Sequence, residues 1–86
     1  MNIKPGCGDI VKFRTERPNS TGITVGGFGE VEDIEKKSYK IRVLSCFGYK
    51  PGEIIDVPKY LGRKTKVEDF SRVGITEILL KRKTIL

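Results

Sequence analysis

Short alternations of apolar and polar side chains, cut at close intervals by glycine or proline, run through most of this chain. Residues 9–14 set Val11 and Phe13 on one side of an extended backbone and Lys12 and Arg14 on the other, as a strand with one buried face requires. Pro5 and Gly6 supply a turn signal just ahead of it. Residues 29–35 and 39–46 read as two more strands joined by a tight turn at Lys36, Lys37 and Ser38, with Tyr39, Ile41 and Val43 on a common face. Val31 and Ile34 are three apart, a spacing that a regular strand cannot bring to one side, so a bulge is expected near Asp33. Across that hairpin Glu30, Glu32 and Asp33 would face Lys40 and Arg42, a modestly stabilising arrangement.

A fourth strand is expected at residues 53–57, opened by Pro51 and Gly52 and stopped by Pro58, which has no amide to donate to a ladder. A fifth is expected at residues 75–80. Between them Val67, Phe70 and Val73 recur every three positions, the spacing of a single helical or 3₁₀ turn, and Gly74 ends it. Residues 15–29, rich in Gly, Pro, Ser, Thr and Asn, read as a long loop with one short extended piece at residues 23–25, a mobile arm at the rim of the fold. The expected fold is all-β: a small barrel or rolled sheet of about five short strands with one helical or 3₁₀ turn before the last strand. With 86 residues there is room for one domain, expected over residues 1–80, with a basic tail at residues 81–86.

The stretch Gly8-Asp9-Ile10-Val11-Lys12-Phe13, followed by Gly29-Glu30-Val31-Glu32-Asp33-Ile34 and Lys40-Ile41-Arg42-Val43, resembles the opening of SH3-like barrels. The spacing Gly-x-Val-x-x-Ile at residues 29–34 is similar to the KOW motif of ribosomal and transcription-elongation proteins. The resemblance covers about the first half of the chain, and the segment ahead of Gly29 is longer than in the KOW family. It implies an SH3-like barrel, and the KOW proteins contact RNA.

Catalysis is not expected. The chain has no histidine, which removes every mechanism that needs an imidazole. Its two cysteines, Cys7 between glycines and Cys46 on a strand, fall short of the four ligands of a structural zinc, and no metal or other cofactor is expected. The glycine-rich residues 22–29 lack the Gly-Lys-Ser/Thr step into a helix that a phosphate cradle needs. A toxin-type nuclease would have Arg14, Glu16, Arg17 and Ser20 to draw on, with nothing in the sequence to fix their mutual geometry. No apolar run approaches the ~20 residues that cross a bilayer as a helix. The opening residues carry no signal-peptide pattern, so a cytoplasmic location with reduced thiols is expected.

Charge carries the functional expectation. Lys and Arg number 17 against 11 Asp and Glu, a formal +6, divided as +2 over residues 1–43 and +4 over residues 44–86. Positive charge gathers at Lys59, Arg63, Lys64 and Lys66 and again at Lys81, Arg82 and Lys83, with rings interleaved at Phe47, Tyr49 and Tyr60. Cations neutralise phosphates and release counterions, while rings offer π faces to unpaired bases. The expected ligand is therefore nucleic acid, with Lys50, Lys59, Arg63, Lys64 and Lys66 on phosphates and Tyr49 and Tyr60 stacking on bases. The alternative partner is an intracellular protein, gripped by the glycine-rich loop, Phe28 and a strand edge.

Overall fold

A computed structural model of the protein describes residues 4–19, 23–59 and 73–82. Five strands form one antiparallel sheet: β1 (Ile10–Glu16), β2 (Thr24–Ile34), β3 (Ser38–Cys46), β4 (Ile54–Pro58) and β5 (Gly74–Leu80). Their order across the sheet is β4-β3-β2-β1-β5, so the first four strands meander and the last returns beside the first. No helix occurs among the described residues. The helical turn expected at residues 67–73 lies almost wholly outside them.

Alternation decides which face of the sheet is dry. Val11 and Phe13 of β1 are fully buried, Lys12 and Arg14 between and beyond them are exposed, and the same rule puts Ile41 and Val43 of β3 inside. With Val31, Cys46, Val57 and Ile75 they make one core, against which Val25, Tyr39, Tyr49, Ile55 and Ile78 pack from its margin. Each large apolar side chain removed from water here contributes roughly 1.5–3 kcal/mol. A single sheet can bury one face only by curling over it. The edge strand β4 accordingly approaches β5 and β1 to within 8 Å between Cα atoms.

The bulge expected near Asp33 is present as a register shift between Val31 and Asp33. It does not carry Ile34 into the core. Ile34 sits opposite Tyr39 and remains exposed, because the hairpin turn begins immediately after it and the core ends at Val31.

The largest departure from the expected fold is the glycine-rich segment. Residues 24–29 are not a rim loop; they form the first half of β2, paired with β1 from Glu16↔Thr24 to Val11↔Gly29. Glycine is required here by close approach. A Cβ on Gly27 would collide with the carbonyl oxygen of Ser45 and with Cys46, and one on Gly29 with the carbonyl oxygen of Arg42 and with Ile41. Beside these contacts the β2–β3 register shifts between Phe28 and Gly29, so β3 passes unusually near the β2 backbone at the bulge.

The turn before β1 and the segment after β5 are joined through Asp9. Its carboxylate, almost wholly buried, accepts hydrogen bonds from the Gly6 amide (2.8 Å) and the Arg82 amide (2.9 Å) and pairs with the Lys81 ammonium (3.0 Å). Lys81 and Arg82, the described part of the expected basic tail, are therefore folded back on the start of β1.

Candidate nucleic-acid interface

Of the residues expected to meet nucleic acid, Tyr60, Arg63, Lys64 and Lys66 lie outside the described residues. Tyr49 is half-buried against the core, and its hydroxyl donates to the Glu16 carbonyl oxygen at 2.8 Å. Burial raises its phenol above the ordinary value. Both the ring and the hydroxyl are thus engaged in the fold. Lys50 is exposed beside it, its backbone amide donating to a Glu53 carboxylate oxygen at 3.0 Å. Lys59 lies at the other end of β4, with its ammonium 5.5 Å from the centre of the Tyr39 ring. β4 therefore separates Lys50 from Lys59, and no single cluster forms from the two.

Rings and cations do converge elsewhere, on the outer face of β1, β2 and β3. Directly opposed residues of paired strands share a face, and the register sets Lys12 against Phe28 and Arg14 against Gly26. Phe28 in turn opposes Ser45 at the end of β3, one residue before buried Cys46 and two before Phe47. Phe28 is 41% exposed and Phe47 66%, too much for either to serve as a core plug. Together with Lys12, Gly26, Gly27, Ser45, Cys46 and Leu79 of β5 they line an open cleft of about 350 Å³. The Arg17 guanidinium sits 5.1 Å from the Phe47 ring centre, within cation–π range. Arg14 lies along the same face, its guanidinium donating to the Thr24 hydroxyl at 3.0 and 3.2 Å and to the Thr24 carbonyl at 3.3 Å.

Charge pairing sharpens the contrast between the two ends of the sheet. The acidic run of β2 faces its own cations: Glu30 opposes Arg42, Glu32 forms an ion pair with Arg42, and Asp33 opposes Lys40. Lys40 also bridges to Asp56 at 2.7 Å and to Glu35 at 3.9 Å, which raises its ammonium above the ordinary value. Around the cleft, Lys12, Arg14 and Arg17 have no carboxylate within salt-bridge distance among the described residues. Glu77 is the acid nearest in register, opposite Lys12 across β1 and β5.

The sequence by itself points Phe28 toward protein contacts and does not bring Lys12, Arg14, Arg17, Phe47 and Leu79 together. The outward alternation of Lys12 and Arg14 is the available signal; their meeting with Phe28 depends on inter-strand register. No group of three or more Cys, Asp or Glu gathers into a metal-binding cluster among the described residues. Cys7 is exposed, Cys46 is buried, and both are free thiols.

No protein-family model matches this chain, and neither the curated proteins nor the solved structures contain a significant match to it.

Proposed function

We propose that the protein is a non-catalytic, SH3-like barrel module that binds nucleic acid. The observation that carries this reading is the outer-face cleft, where two exposed phenylalanine rings stand beside three cations that lack carboxylate partners among the described residues. Phosphates meet such cations with release of counterions, and rings give bases a surface on which to stack. The barrel part of the reading is supported by the return of β5 beside β1 and the approach of β4 toward both. Lys50 and Lys59, exposed and half-buried at the two ends of β4, extend the positive potential beyond the cleft, and the cations Arg63, Lys64 and Lys66 add to it by composition.

Fluorescence anisotropy of labelled RNA and DNA across a salt series tests the proposal. Affinity should fall linearly with salt on logarithmic axes, and charge reversal at Lys12, or at Arg63 and Lys64, should weaken binding and flatten the slope by about one counterion for each phosphate no longer neutralised. Absence of binding at low salt, where attraction is strongest, rejects it. Salt-insensitive recovery of one specific polypeptide would instead favour the protein-adaptor reading, which retains exposed Phe28 and the sheet edges but loses the flexible glycine arm.

A further inference from the structure

We infer that the cleft between Phe28 and Phe47 holds one unpaired nucleobase, which makes single-stranded nucleic acid, not duplex, the ligand of this face. The inference rests on the nucleic-acid reading above and narrows it. Three apolar side chains, Phe28, Phe47 and Leu79, belong to strands or connections distant in sequence and are brought to one open site by register. Two residues with polar side chains, Lys12 and Ser45, line the same cleft. A flat, apolar-faced ligand with hydrogen-bonding edges uses all of these groups, and a nucleobase has that shape.

The charges around the cleft give it a direction. Glu77 faces the Lys12 end, whereas Arg14 and Arg17 lie toward the other end, with the Arg17 guanidinium over Phe47. A nucleotide would therefore place its base between the rings and its phosphate toward Arg14 and Arg17. Glu16, next along that face, already has an interaction of its own. In a duplex the faces of the bases are covered by their neighbours, so the rings would have nothing to stack on and only the cations would act.

The test compares a short labelled oligothymidylate with the same strand annealed into duplex, for the full-length protein and for Phe28→Ala, Phe47→Ala and Phe47→Trp. Both rings are substantially exposed, so the variants should fold, and far-UV dichroism checks this. Each alanine variant should lose about 5- to 150-fold in single-strand affinity, the range expected for one stacked base, with the salt slope unchanged. Phe47→Trp should retain binding, and its indole, the single tryptophan in the chain, should be quenched on addition of the strand. Equal affinity for strand and duplex, or alanine variants that bind like wild type, overturns this inference while leaving the nucleic-acid reading intact. No binding of either form at low salt overturns both.

Discussion

The Asp9 carboxylate accepts a hydrogen bond from the Arg82 amide at 2.9 Å, tying the segment after β5 to the turn before β1 across 73 positions of sequence. Burial alone would push this carboxyl up. The amides of Gly6 and Arg82 and the Lys81 ammonium outweigh burial and hold it below the ordinary carboxylate value. Asp9 is 2% exposed, so its unsatisfied form would leave buried polar groups without partners.

Because the folded-state value is depressed, the stabilisation from Asp9 is fully present above the unfolded carboxyl value of about 3.8 and is lost as pH falls through the folded value. Asp9→Asn should lower the unfolding free energy at neutral pH by about 1–3 kcal/mol and flatten the acid limb of the stability curve. Urea unfolding from pH 2 to pH 7 measures both effects. An unchanged acid limb would mean that the link to Arg82 and Lys81 contributes nothing.

The three glycines of β2 should respond differently to alanine. At Gly27 and Gly29 the new methyl meets β3 backbone, which cannot move aside without disturbing the ladder, so each should cost about 1–3 kcal/mol or more. At Gly26 the nearest atom is the mobile end of Arg14, 3.2 Å away, so alanine there should be neutral or stabilising by up to about 1 kcal/mol. Thermal unfolding of the three variants gives the order. A Gly26→Ala variant as unstable as Gly27→Ala would contradict the β2–β3 geometry.

The thiols should separate by exposure. Burial raises the Cys46 thiol, an effect that the positive charge of Arg14 opposes only in part, whereas Cys7 is open to solvent. One equivalent of thiol should therefore react rapidly with an alkylating agent in the native protein and two after denaturation. Peptide mass spectrometry should place the fast site at Cys7, and Cys7→Ser should fold normally.

Tyr49 offers a control for the binding face. Tyr49→Phe removes the hydroxyl that reaches the Glu16 carbonyl and should cost about 0.5–1.5 kcal/mol of stability while leaving nucleic-acid affinity unchanged. A tenfold or greater loss of affinity in a variant that remains folded would assign the Tyr49 hydroxyl, as distinct from its ring, to the interface.

Much of the fold is a local matter and is legible in the chain. The alternation of Val11 and Phe13 with Lys12 and Arg14 gives β1 its two faces. The bulge near Asp33 occurs where the spacing of Val31 and Ile34 suggested, although Ile34 stays exposed, so the reason read from that spacing does not hold. Pro51 and Gly52 lead into β4 through backbone preferences that need no neighbour, Gly52 adopting a positive φ of 93°, while Pro58 is the last residue of the strand and not the first beyond it.

What escapes the sequence depends on neighbours that the chain does not adjoin. Glycine permits a loop and also permits two backbones to touch. The carbonyls of Arg42 and Ser45 lying against Gly29 and Gly27 choose the second use, and they do so only once β3 has docked. The cleft has the same origin: Lys12, Phe28, Phe47 and Leu79 come from four separate stretches of sequence, and a one-residue slip of register would send their side chains to opposite faces. Local pattern thus determined an all-β chain with four strands near their observed positions and the second half of β2, whereas tertiary structure decided the first half of β2 and which exposed rings and cations meet, because inter-strand register fixes faces that no single strand encodes.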